Sequence, residues 1–242
     1  MNRKVSFDAI IRLRKQLTDD ELRVLVTNIR QVKNFLARLV ATAAKNVFVE
    51  YIDDKDVPER LQPVLAKWRR YATELGYSGP VAWRVKAGFT LKRHAPLAGP
   101  CHERFNHLQD WRFADEPTVS GIVFWVPRLA PETTAKNVEE QTKVIMDLRT
   151  RFELPEHHLK DFGSAGLVAA LIFAHFKRTG ERVPLDLRYV RTATRHSDGC
   201  LLNLGDFDEQ GLGCGGWWGG GRGGGLGVFA LGVDLEPSDA QP

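Results

Sequence analysis

One stretch constrains this chain more than any other. Ala165 to Phe176 is apolar almost all the way round a helical wheel. Ser164 stands in front of it as a favoured N-cap, Lys177 and Arg178 fall in its last turn, and Gly180 follows. A helix with no polar face has to be covered on nearly every side. The fold therefore needs enough other structure to enclose it. The uninterrupted apolar part, Ala165 to Ala174, is about half of what a bilayer span needs, so a membrane is not expected as a partner.

What could enclose that helix follows it in sequence. Leu187 to Thr194, Leu201 to Phe207 and Leu226 to Leu235 read as strands, and Ser197-Asp198-Gly199 reads as a hairpin turn. Upstream, Val81, Trp83 and Val85 alternate with polar neighbours as a half-buried strand does, with a kink at Gly88 and a resumption at Phe89 and Leu91. Pro96 to Trp111 reads as irregular. Val119 to Val126 is apolar on both faces and is expected to be a central strand. A helix capped by Thr133 or Thr134 should then run to Pro155.

The front of the chain has a different texture. Thr18 to Glu21 forms a capping box, and apolar residues at 22, 25, 29, 32, 36, 39 and 43 continue at helical spacing. After a short extended piece at 47–51, Leu61, Val64, Leu65, Trp68, Ala72 and Leu75 mark another helix, ended by Gly76. Gly76 to Pro80 is a breaker cluster and the expected domain boundary. The expected fold is α+β. A basic helical region, residues 1–76, precedes an α/β region, 81–236, whose mainly antiparallel sheet packs on the one buried apolar helix. A Gly-rich hairpin loop is expected at 211–227, and residues 237–242 form a frayed tail.

Charge follows the same division. Residues 1–93 hold 19 Lys and Arg against 10 Asp and Glu, and the remainder holds 15 against 20. The basic half can serve phosphate, another acidic surface, or solubility alone. Arg23, Arg30, Arg38, Lys67 and Arg70, together with Trp217, Trp218 and Arg222, form a candidate nucleic-acid set in which the indoles would stack on bases.

Few motifs survive their context. Gly211-Leu-Gly213-Cys-Gly215-Gly216 matches a dinucleotide fingerprint in letters only, since Trp217, Trp218 and further glycines cannot open a helix behind it. Asp161-Phe162-Gly163 lacks the other kinase elements. Ser164 with His157, His158 and Asp161 spells a triad, yet Ser164 is better read as a helix cap and His175 as a core histidine. His94, Cys101, His102 and His107 are the candidate metal ligands; their types suit zinc and their spacing does not. Cys200 and Cys214 lie on neighbouring strand segments. Three cysteines do not make a disulfide scaffold, and Arg12, Arg14 and Lys15 break any export signal, so reduced thiols and a cytoplasmic address are expected. No catalytic residue and no cofactor is implied.

Phe162 to Pro184, with Leu226 to Val233, resembles uncharacterised bacterial hypothetical proteins over roughly the last third of the chain. The resemblance implies no activity. The leading expectation is a non-catalytic binding or interaction protein. The alternatives are nucleic-acid association through the basic helices, and a metal-dependent enzyme built on the 94–107 loop.

Overall fold

The computed structural model describes residue 18 and residues 48–103, 105, 112–155, 162–185, 187–196 and 198–235. The chain divides into two compact units, Met1–Asn46 and Val47–Pro242. The fold below belongs to the second. The helices expected before residue 47, with Arg23, Arg30 and Arg38, lie outside the described residues, as does the tail.

In chain order the elements are β1 (Val49–Tyr51), α1 (Gln62–Glu74), β2 (Ala82–Val85), α2 (Leu91–Ala98), β3 (Gly121–Trp125), α3 (Val138–Phe152), α4 (Ala165–Thr179), β4 (Tyr189–Arg195), β5 (Leu201–Asp208), β6 (Gly211–Trp217), β7 (Leu226–Gly227) and β8 (Leu231–Leu235). The unit is α+β, with two mostly antiparallel sheets. Sheet one has the order β1-β2-β3-β8 and sheet two the order β6-β5-β4-β7. Among the described strand pairs, β4–β7 is the parallel one, and an isolated parallel bridge joins Cys101 to Leu212. No helix among the described residues is long and apolar enough to cross a membrane.

The apolar helix lies where its composition demands. One face of sheet one (Trp83, Val85, Val123, Trp125) and one face of sheet two (Val190, Leu202, Leu204) share a single core with α4. Its termini are those expected: the Ser164 hydroxyl accepts from the Leu167 amide, and Gly180 closes it in the left-handed region. The other face of sheet one (Ala82, Ile122, Phe124) packs on α1 and α3. Trp68 of α1 stacks on Phe124, their ring centroids 6.2 Å apart and their planes 13° apart. The indole occupies a slot that glycine opens, since a Cβ at Gly232 would come within 2.9 Å of it.

Several expectations need correction. The boundary at Gly76 to Pro80 is a turn inside one unit: β1 pairs with β2, and α1 shares a core with β3. Nothing separates residues 48–76 from the sheets. Phe89 and Leu91 do not resume a strand. Thr90 caps α2 by accepting from the Arg93 amide, and Pro96 is carried inside that helix. The cap of α3 is Asn137, in a reciprocal capping box with Glu140. The Thr133 hydroxyl is engaged elsewhere, donating to the Ala130 carbonyl at 2.6 Å. The apolar run from Leu226 to Leu235 is two strands, β7 in sheet two and β8 in sheet one, so this segment ties the sheets together. Finally, the glycine tract is half strand: Gly211–Trp217 pairs with β5 as β6, and only residues 218–225 are loop.

Candidate functional site

Sheet two has one face in the core and one face with few side chains. Alternation along β4 and β5 places Val190, Leu202 and Leu204 inward. Tyr189 and Arg191 of β4 then stand outward, opposite Gly205 and Asn203 of β5. On β6 the residues opposite Asn203 and Gly205 are Gly215 and Gly213, and Trp217 lies opposite Leu201. Glycine at these positions strips the face of bulk. A cleft of about 360 Å³ results, with glycine backbone on its floor and Gly223 to Gly225 on its far side. Tyr189, Asn203, Asp206, Trp217, Leu187 and His102 also line it. Its size is that of a small-molecule site.

Three details mark this cleft. Asn203 is 5% exposed, and its Oδ1 is buried without a hydrogen-bond partner in the protein. An unmade hydrogen bond of this kind costs about 1–3 kcal/mol. Asp206 sits at a bulge of β5, between Gly205 and Asp208, with φ at 51°. Its Oδ2 accepts from the Tyr189 hydroxyl at 3.3 Å. Leu187 also holds a positive φ of 51° and is 79% exposed. Left-handed backbone at non-glycine residues collects at ligand sites, where the surroundings hold the strain in place.

The loop 218–225 closes one side of the cleft and is anchored twice. Arg191 is fully buried, and its guanidinium donates to the carbonyls of Gly219 at 3.2 Å and Gly221 at 3.0 Å. Burial pulls its pKa below the ordinary arginine range. The start of α3 holds the loop from outside. The Val138 amide donates to Gly219, the Ala135 amide donates to Gly223, and Arg222 pairs with Glu140 at 2.6 Å. The Trp217 indole rests on this loop: a Cβ at Gly221 would come within 2.3 Å of its Nε1, and one at Gly223 within 3.6 Å of its Cζ2. Trp217 is still 43% exposed. It is therefore a positioned ring with a free surface. Trp218, 62% exposed, leaves in another direction, its ring 3.9 Å from where a Gly199 Cβ would sit.

Among the described residues, the candidate nucleic-acid side chains Lys67, Arg70, Arg222, Trp217 and Trp218 are not gathered into one surface. Lys67 donates to the Glu153 carbonyl at 2.7 Å, and Arg70 donates to the Arg151 carbonyl and lies over the Phe152 ring. Both sit by the C-terminal end of α3, whereas Arg222 sits by its N-terminal end. At 1.5 Å per residue those ends are about 20 Å apart. Trp217 and Trp218 diverge, so they do not form a joint stacking platform.

The candidate metal ligands are likewise engaged separately. His94 Nδ1 accepts from the Thr90 amide at 2.8 Å, and the ring packs on Phe48 and Phe89. The Cys101 thiol faces the Gly99 carbonyl, and His102 Nε2 meets Gln210 Oε1 at 2.9 Å. His107, His157, His158 and Asp161 lie outside the described residues. Among the described residues, no three His, Cys, Asp or Glu side chains converge as metal ligands. Cys214 lies opposite Leu204, several residues along the hairpin from Cys200. Burial pushes the Cys101 thiol up to about 12 and the Cys214 thiol higher still. Neither is a thiolate nucleophile at neutral pH.

Sequence reasoning missed Tyr189, Asn203 and Asp206. One signal was available: Asn203 is a polar residue in the apolar series Leu201, Leu202, Leu204, on the face that meets the glycines.

Fold and cleft together define an α+β unit of two sheets, with an open, glycine-floored recess on the outer face of the second. Comparison with protein-family models, curated proteins and solved structures finds no match to the chain.

Proposed function

We propose that the protein is a non-catalytic binding protein that takes a small molecule in the cleft of sheet two. The observation that carries this reading is the buried, unpartnered Asn203 Oδ1 at a recess with a glycine floor. A fold optimised only for stability would fill that position with an apolar side chain. Two strained residues, a ring fixed by its loop and a buried arginine holding that loop all serve the shape of the same recess. The Cys214 thiol at the cleft is held protonated by burial and offers no thiolate nucleophile there.

The test is ligand-observed NMR with a chemically diverse set of small polar ring compounds, run on the wild type and on Asn203→Leu and Trp217→Ala. Binding that disappears in both variants supports the reading. Binding indifferent to both, or no binding across the set, contradicts it.

A second reading rests on the exposure of Trp217 and Trp218: either indole can stack on a base of single-stranded nucleic acid. Titration of a labelled oligonucleotide at two salt concentrations tests it. Binding that weakens with salt and with Trp218→Ala supports this alternative; no binding at low salt removes it.

A further inference from the structure

Resting on the binding reading above, we infer that the cleft is built for a neutral, polyhydroxylated ring: a pyranose unit of a carbohydrate. The side chains of the cleft limit what it can hold. Asn203 Oδ1 is an acceptor, it is buried, and nothing in the protein satisfies it. Asp206 is a second acceptor, oriented by the Tyr189 hydroxyl at 3.3 Å and aimed by the local bulge. A carboxylate and an amide oxygen accept and do not donate. The ligand must therefore bring donors to these two oxygens, while the Asn203 NH2 beside them can donate in turn.

The charge pattern narrows the class. An anionic ligand would face Asp206 without compensation. Arg191 keeps its charge but is turned under the 218–225 loop toward the carbonyls of Gly219 and Gly221 and does not line the cleft. The ligand must also show an apolar surface. Trp217 presents an indole with 43% exposure, held in orientation by Gly221 and Gly223, and Leu187 adds an exposed aliphatic rim. Hydroxyl donors along one edge and a face of C–H groups for an indole are the two aspects of a pyranose. A nucleobase would offer the stacking face, but its edge fixes donors and acceptors in place, whereas each pyranose hydroxyl turns to donate to Asn203 Oδ1 or Asp206 and accepts as well. The glycine floor completes the fit. A Cβ at Gly215 would approach Asn203 Oδ1 to 3.3 Å and crowd that acceptor.

The experiment is saturation-transfer NMR on the full chain with six probes: the methyl pyranosides of glucose, galactose, mannose and N-acetylglucosamine, and the nucleosides adenosine and uridine. The expected result is binding of at least one pyranoside, at least tenfold weaker in Trp217→Ala and in Asn203→Leu and unchanged in Trp218→Ala. Near-UV circular dichroism checks that each variant is folded, and the Asp206→Asn variant, which keeps an acceptor, is expected to bind more weakly without losing binding. If adenosine or uridine binds in a Trp217-dependent way and no pyranoside does, the carbohydrate assignment is overturned while the cleft remains a binding site. If a pyranoside binds equally to wild type, Trp217→Ala and Asn203→Leu, or if none of the six binds, the assignment is overturned. Failure of the wider compound set as well brings down the binding reading with it.

Discussion

Sheet one and sheet two are built from similar strands and have opposite fates. Sheet one is covered on both faces. β3 is buried at every residue, with α4 on one side and α1 and α3 on the other. Its glycines serve close packing: Gly232 makes room for a core tryptophan, and Gly121 lets β3 approach the Asp234 backbone. Sheet two is covered on one face only. Its outer face carries a run of glycines and, beside a cleft, two left-handed non-glycine residues; buried polar atoms without a partner occur at both sheets, on Trp83 and Trp125 in the first and on Asn203 in the second. Glycine in sheet one serves packing; in sheet two it creates access. The contrast separates the part of the molecule that makes the core from the part that gives up packing for a recess.

The sharpest blow to sheet one is Trp68→Ala. Trp68 is fully buried, stacks on Phe124 and meets Tyr71 edge-on. Its truncation is expected to cost about 3–5 kcal/mol, read as a lower urea midpoint. A loss below about 1 kcal/mol would mean that α1 is not part of this core. In sheet two the corresponding blow is Arg191→Ala. It removes the donor from the Gly221 carbonyl and leaves space under the loop, with an expected cost of about 2–3 kcal/mol. Faster amide exchange should be confined to the 218–225 loop and β6. Faster exchange spread equally over sheet one would erase the distinction between the sheets.

A smaller effect comes with acid. Burial holds the imidazoles of His175 and His94 below their ordinary pKa. For a base whose folded pKa is depressed, the unfolded chain takes up the proton first. The stabilisation is therefore complete above the unfolded value of about 6.5 and is lost as pH falls through it toward the folded value. Urea midpoints should decline between pH 7 and pH 5, and His175→Gln should flatten that decline. An unchanged slope in the variant would contradict the buried neutral histidine.

The core was far more legible in the sequence than the site. α4 declared itself through composition, Ser164 and Gly180, and β3 through an apolar run with no polar face. These features are local, and local chemistry decided them. α2 stayed hidden because Pro96 argues against a helix, while the Thr90 cap is a single hydroxyl. β6 has the sequence of a loop because glycine has low strand preference, and its strand state comes from pairing with β5 rather than from its own residues. The division of Leu226 to Leu235 between two sheets leaves no mark in an unbroken apolar run. Among the site residues, Trp217 stood out by type. Asn203, Asp206 and Tyr189 did not, because only the register of three strands brings them to one recess. The basic residues drew attention by number, yet Lys67, Arg70 and Arg222 turned out to be engaged with α3 and its ends.

The most direct test of the account is the stability of Asn203→Leu. The wild-type amide makes no hydrogen bond that its replacement would break, and leucine has nearly its shape. If Asn203 is kept for a ligand, removing its unsatisfied oxygen should stabilise the free protein by about 1 kcal/mol, seen as a higher urea midpoint, while small-molecule binding is lost. A midpoint that falls by about 1 kcal/mol or more would show that Asn203 supports the fold, and the functional reading of sheet two would fail with it.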